Sequence, residues 1–386
     1  MEKQGEVSPK KDTNTVKLGE KNNPTPTNIL PVITFILALS AVGISTYNYY
    51  HGSSVTNYNY GPDGNSLNFE SGSIADVASK VSESVVSITT EVRTESWFGT
   101  EQTSTAAGTG FILSADGYIM TNKHVVEDAK NVNVTLSNGK TYKNVKVVGL
   151  DPLNDSAILK VENPENFKPV TLGDSKTVNV GQEVIVIGNA LGEYSNSVTS
   201  GIISGTGREL IASDSSGNAY EKLSDMLQTD AAINGGNSGG PIVNAAGEVI
   251  GIATAYASSS QTVGFAIPIA NVKGIIKNVL ENGEYARAVL GVQYTPITSD
   301  VAEENNLKYN YGAFLGSNAI ISGGAGDLAG LKGGDIILEV NGIKIGRAGS
   351  LSTLVGEYKV GDEITLKVAR GDNEIDLKVT LQAYKN

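Results

Sequence analysis

The 386-residue sequence predicts a mainly β chain with one membrane-spanning helix near its N-terminus, and three observations carry that reading. From about residue 84 to residue 267 the chain runs as short β-branched segments separated by turn signals such as Asp116-Gly117 and Asn138-Gly139, the pattern of a barrel or sandwich. Glycine is abundant, with 45 residues against roughly 7% in an average protein, which fits a turn-rich β fold. Ile29 to Tyr47 is almost wholly apolar, and no Lys, Arg, Asp or Glu occurs between Lys21 and Asp63.

Taken in order, residues 1–28 are polar, with Lys3, Lys10, Lys11, Lys17 and Lys21 among several acids, and their composition cannot bury a core. They read as a disordered cytoplasmic tail. Residues 29–50 read as the transmembrane anchor, since about 20 apolar residues span a bilayer as a helix. A cleavable signal peptide competes for the same run, but the long polar lead and the lack of a clear Ala-x-Ala site favour the anchor. Lysines precede the run and the next cation is Lys80, so the positive-inside rule puts the N-terminus in the cytoplasm and the rest outside. Tyr47, Tyr49 and Tyr50 suit an interfacial aromatic belt. Residues 51–71, rich in Asn, Ser, Gly and Tyr, read as a linker.

A short helix is expected over Ile74 to Val81, followed by the strands of the first large unit, such as Val132 to Leu136, Glu183 to Gly188, Val249 to Thr254 and Val263 to Ile267. Apolar positions at 269, 272, 275/276 and 279 have helical spacing, opened by Pro268 and closed by Asn282-Gly283. That helix ends the first unit at about residue 283, and residues 288–383 form a second one.

Composition also excludes chemistry. With no cysteine, disulfides, thiol catalysis, zinc-thiolate sites and iron–sulfur clusters are ruled out. Two histidines argue against a His-based metal site, so no metal and no cofactor is expected. The formal charge of −12 argues against nucleic acid as a partner, because such domains carry a basic patch.

The most informative stretch is Gln228 to Ile242, where Ser238 sits between Gly235-Gly236-Asn237 and Gly239-Gly240-Pro241. A nucleophilic serine needs an exposed Oγ and converging N–H groups for the developing oxyanion, and flanking glycines permit both. Of the two histidines, His51 follows the apolar run, which leaves His124, at the end of an apolar strand, as the base. Asp155 precedes the strand Ala157 to Val161, which gives the chain order His, Asp, Ser of chymotrypsin-like enzymes. An α/β-hydrolase needs its histidine after the serine, and none follows Ser238. A subtilisin-like order needs an acid before His124, and Asp116 lies in a turn. Asp151 is a rival for the acid, less favoured than Asp155 because Ser156-Ala157-Ile158-Leu159 follows the latter directly.

Four blocks in sequence order, Thr121 to Val126, Asn154 to Val161, Gly201 to Gly205 and Gln228 to Pro241, resemble the HtrA/DegP-type serine proteases. The resemblance implies a trypsin-like double β-barrel over residues 72–283, with His124 and Asp155 from the first barrel and Ser238 from the second. It assigns the oxyanion hole to Gly236, Asn237 and Ser238, with the N–H groups of Gly236 and Ser238 as donors. It places the specificity pocket at Ala232, Ile233 and Thr254, where no acid is present and small aliphatic residues are expected before the cut. Val289-Leu290-Gly291-Val292, Ala329 to Gly342 and Glu363 to Gly371 resemble a PDZ domain over residues 288–383. Val289, Leu290, Gly291 and Val292 are then the loop that captures a peptide C-terminus. Gly323-Gly324-Ala325-Gly326 lacks the proline often seen in that family. The implied activity is endoproteolysis of unfolded or misfolded extracytoplasmic proteins by a membrane-anchored homotrimer. A regulatory protease with one signalling substrate and a non-enzymatic holdase or PDZ scaffold are the alternatives.

Overall fold

A computed structural model describes residues 73–385, apart from 96–100, 191–193, 214–219, 255–262, 305–306 and 347. The expected tail, anchor and linker, and His51, lie outside the described residues. Among those described, no helix is long and apolar enough to cross a membrane.

Helix α1 (Ile74–Ser82) opens the described chain, its N-terminus capped by Ser73, whose Oγ accepts the Asp76 N–H at 3.2 Å. Its Val77, Ala78 and Val81 are buried. The first sheet comprises β1 (Val85–Glu95), β2 (Glu101–Ile112), β3 (Tyr118–Thr121), β4 (Asn131–Leu136), β5 (Thr141–Tyr142), β6 (Lys146–Leu150) and β7 (Ala157–Lys160). They lie in the order β5-β4-β1-β2-β3-β7-β6. In β4 the buried residues are Val132, Val134 and Leu136, the period-2 alternation of a strand with one face inward. The one-turn helix α2 (Lys123–Val126) follows β3 directly.

The second sheet comprises β8 (Thr171–Leu172), β9 (Glu183–Ala190), β10 (Tyr194–Ser213), β11 (Tyr220–Thr229), β12 (Pro241–Val243), β13 (Glu248–Thr254) and β14 (Gly264–Pro268). Its order is β12-β9-β10-β11-β14-β13-β8, and β12 also pairs with β13, which closes it into a barrel. The helix expected from residue 269 is divided. Ile269–Asn271 forms a 3-10 turn and α3 (Lys273–Asn282) follows, ending at Gly283 in the left-handed region. The break falls at Val272, whose N–H closes the 3-10 turn on Ile269 O at 3.1 Å and whose backbone leaves the helical region at φ −122° and ψ −4°. Ala270 N–H, one of the first-turn donors that a helix leaves free, is taken by Ser175 Oγ.

One apolar cluster joins the pieces: Phe111, Met120 and Ile158 of the first sheet meet Ile185, Ile187, Ile252 and Ile267 of the second, with Val272 just before α3 and Ile276 and Val279 within it. A close-packed core shared in this way makes the two sheets one rigid platform.

The C-terminal unit has its own core, with Leu315, Ile337, Val340, Leu366, Val368 and Val379 fully or nearly buried. Its strands include β15 (Ala288–Val289), β16 (Thr295–Pro296), β17 (Ala313–Phe314), β18 (Ile336–Val340), β19 (Ile343–Lys344), β20 (Glu363–Arg370), β21 (Asn373–Thr380) and β22 (Gln382–Ala383). Among the described residues it also holds three short helices, α4 (Ser299–Glu304), α5 (Ala325–Leu328) and α6 (Leu351–Gly356). Helix α6 is fastened to the first unit at both ends. Asp225 Oδ2 accepts Ser350 N–H at 2.6 Å, and Lys176 Nζ meets Glu357 Oε1 at 2.5 Å. Just past the second of these ends, a Cβ on Gly274 would lie 1.9 Å from Tyr358 O, so the backbones pass closer there than any side chain permits.

Candidate active site

His124 stands in the first turn after β3, and its Nδ1 lies 2.7 Å from Asp155 Oδ2. The His124 backbone N–H donates to the other oxygen, Oδ1, at 2.9 Å. Asp155 is fully buried, so each of its lone pairs needs a donor. Thr254 Oγ1 supplies a further one, donating to Oδ2 at 2.9 Å, and Asn122 Nδ2 holds the Asp155 carbonyl at 2.6 Å. Thr254 and Asn122 are themselves buried.

Asp151 has different neighbours. Arg287 Nη1 meets its Oδ2 at 2.5 Å, Leu153 N–H donates to its Oδ1 at 2.9 Å, and Asn154 Nδ2 lies 3.1 Å from Oδ2. Both Arg287 and Asp151 are buried. Of the two candidate acids, the one facing the imidazole is Asp155. Asp151 braces the loop from behind. Tyr285, two residues before Arg287, packs its ring where a Cβ on Gly149 would fall. Burial first, and then the Asp151 carboxylate, push the Tyr285 hydroxyl pKa upward.

The Ser238 segment is held against the first sheet by Thr109. Its N–H donates to Ser238 O at 2.8 Å and its Oγ1 to Gly236 O at 2.6 Å. Thr121 Oγ1, one residue before Asn122, in turn donates to Thr109 O at 2.7 Å. Gly239 makes this approach possible. Its φ is +85°, and a Cβ there would sit 2.1 Å from Thr109 O and 2.3 Å from Thr121 Oγ1. From the other side, Gly239 N–H donates to Ala253 O and Ala253 N–H to Gly240 O, at 2.9 and 2.8 Å. The serine loop is thus clamped between β2 and β13, the strand that also carries Thr254.

Of the residues expected in the oxyanion hole, Gly236 has φ +97° and its N–H donates to no group among the described residues. Asn237 is buried, with its Oδ1 where a Cβ on Gly188 would point. Of the residues expected in a specificity pocket, Ala232 is exposed and its carbonyl accepts from Thr199 Oγ1 at 2.9 Å. Ile233 is half-buried over Gly264. The Thr254 hydroxyl faces the acid. Sequence reasoning missed Asn122, Thr109 and Arg287; only Asn122, two residues before His124 in a quoted block, had a local signal.

In the C-terminal unit, Val289 pairs with Gln382, and the carbonyls of Leu290 and Gly291 accept from Gly326 and Ile321. The segment Gly323-Gly324-Ala325-Gly326 runs into α5 without a proline, with Gly323 at φ +73°.

Comparison with known proteins bears on this geometry. Residues 108–252 match the trypsin-like peptidase domain and residues 288–381 the PDZ domain. The chain is 37% identical over 288 residues to periplasmic serine endoprotease DegP of Escherichia coli (strain K12), covering 74% of this chain and 58% of DegP. With Protease Do-like 1, chloroplastic, of Arabidopsis thaliana it shares 38% identity over 291 residues, 72% of this chain and 63% of the relative. Structures of the HtrA-type protease AlgW with a decapeptide and with a tripeptide superpose with TM-scores of 0.56 and 0.57 at 32% identity. They cover 81% of this chain and 99% and 98% of AlgW. The chain belongs to the HtrA-type serine proteases. Its two sheets belong to a trypsin-like peptidase domain, and the C-terminal unit is a PDZ domain. It spans 58% of the length of DegP, so the resemblance to that relative stops short of its whole chain.

Proposed function

We propose that this HtrA-type chain is a serine endopeptidase that hydrolyses peptide bonds of misfolded or damaged proteins outside the cytoplasm. The observation that carries the reading is the imidazole of His124 seated on a buried Asp155 that Thr254 and Asn122 hold in place, beside a serine loop fixed by Thr109. Ser238 Oγ attacks the scissile carbonyl as His124 takes its proton, and His124 then delivers that proton to the leaving amine. Asp155 keeps the imidazole oriented and stabilises its charged form. The N–H groups of Gly236 and Ser238 receive the oxyanion, and removing one such donor typically costs roughly 10²–10³ in turnover. The neutral amide of Asn237 stands where digestive relatives hold an acid that pairs with a newly cut N-terminus. Activity therefore needs no zymogen cleavage.

The finer parts of the reading go with it. Residues 29–50 anchor the chain with the protease and PDZ domains outside, residues 289–292 capture protein C-termini, and the protein works as a homotrimer. The DegP name, a periplasmic endoprotease, supports the compartment. The full chain in detergent micelles, incubated with an unfolded protein, should yield fragments that the Ser238→Ala variant does not. Equal cleavage by both would assign proteolysis to a contaminant, and none by either would favour a PDZ scaffold. Product ends read by mass spectrometry should carry small aliphatic residues before the cut.

A further inference from the structure

A groove of about 330 Å³ opens beside the segment Val289 to Val292. Leu290, Val292, Ile321, Leu351 and Val355 of the PDZ domain line it, and so does Leu153, which belongs to the protease. Leu153 lies in the loop between Asp151 and Asp155, with its N–H tied to the buried Asp151 carboxylate. Its side chain is 43% exposed, beside two other half-exposed apolar residues that line the same groove, Ile321 at 58% and Tyr384 at 39%. Covering such a rim with apolar ligand surface is favourable.

The groove also has a polar end. The N–H groups of Leu290, Gly291 and Val292 donate to no group among the described residues, while the neighbouring carbonyls of Leu290 and Gly291 are engaged. Successive unengaged amides beside an apolar cavity suit the carboxylate of a peptide with apolar side chains.

We propose that Leu153 is a specificity residue of the PDZ groove: a bound C-terminal peptide packs an apolar side chain from one of its last residues against this protease loop, two residues from Asp155. The proposal rests on the reading of residues 289–292 as the carboxylate-capturing loop. Its physical content is that the ligand is read by two domains at once. The composite wall exists because Arg287, buried against Asp151, draws the start of the PDZ domain onto the acid loop.

The test uses the full chain in detergent micelles carrying Ser238→Ala, so that no probe is cut. A fluorescent peptide with a free apolar C-terminus is titrated by anisotropy, beside its C-terminal amide and versions with each of the last residues replaced by Gly. The parent should bind the free carboxylate and lose the amide, and some Gly replacements should weaken binding by about three- to tenfold. Adding Leu153→Ala should abolish one of those penalties, the signature of a lost pairwise contact, and Leu153→Met should restore it. Unchanged penalties in Leu153→Ala, whether or not overall affinity falls, would overturn the proposal while leaving the PDZ reading intact. A parent that binds neither peptide, or binds both equally, would overturn the carboxylate reading and the proposal with it.

Discussion

Removing the Thr254 hydroxyl should slow turnover while leaving substrate binding alone. The hydroxyl donates at 2.9 Å to Asp155 Oδ2, the same oxygen that lies 2.7 Å from His124 Nδ1. Both residues are buried, so no water replaces the lost donor. A hydrogen bond to a charged group contributes about 1.5–3 kcal/mol, which at about 1.4 kcal/mol per decade sets a ceiling of about 10–100-fold. Asp155 retains the His124 N–H and the ring, so the expected loss for Thr254→Val is at the lower end, about tenfold in kcat. Thr254→Ser keeps the donor and should stay within about twofold of the parent. The assay is steady-state hydrolysis of a chromogenic peptide by all three proteins, with thermal denaturation to confirm equal folding. Equal kcat for the Val and Ser variants, or a loss confined to KM, would refute the view that this hydroxyl positions the acid.

Other predictions follow from the same contacts. Gly239→Ala forces a side chain into a left-handed position, about 1–2 kcal/mol by itself, and onto Thr109 O. It should lower both Tm and turnover, and full activity at normal Tm would contradict the clamp described. Arg287→Met leaves the Asp151 carboxylate buried without its cation, an expected loss of about 3–5 kcal/mol in chemical denaturation. Adding Asp151→Asn should recover part of that loss, whereas simply additive losses would show that the two side chains do not act as a pair. For Lys176, burial opposes the charge, but Glu357 and then Asp174 outweigh it and hold its pKa above the ordinary 10.5. A raised folded pKa gives stability that is fully present below the unfolded value and fades as pH rises through the folded one. Lys176→Met should therefore lower Tm near neutral pH, and the gap to the parent should narrow as pH rises beyond the ordinary lysine value; a gap constant with pH would sink the assignment.

What could be read in the sequence was whatever lies within one element or one short motif. Val132, Val134 and Leu136 alternate with polar residues, so β4 was legible, as was the order of His124, Asp155 and Ser238. Thr254 was not legible as a donor to the acid, because its partner is 99 residues away and a threonine at a strand end carries no local mark of its contacts. The helix over 269–280 was read as continuous because apolar spacing reports which face is buried. It does not report that the backbone leaves the helical region at Val272 and so splits the helix. Asp151 and Asp155 could not be separated by spacing alone, since both lie in one loop and both are wholly buried. What separates them is Arg287, 136 residues further on and folded back onto Asp151.

That pairing is better understood as a positioning device than as a source of stability. A buried ion pair rarely outperforms a well-packed apolar pair of the same volume, because desolvation offsets most of the attraction. Asp151, however, does more than meet Arg287. It also accepts the Leu153 N–H and the Asn154 amide, and so fixes the backbone on the N-terminal side of Asp155. Asn122 fixes the Asp155 carbonyl from the opposite side. An acid that must hold an imidazole in one orientation needs its own backbone immobile, and geometric error of even about 1 Å can cost roughly 10²-fold in rate. The second buried carboxylate is the means of that immobility: an apolar residue of equal size at position 151 would pack, but would leave the Leu153 and Asn154 donors with nothing to hold.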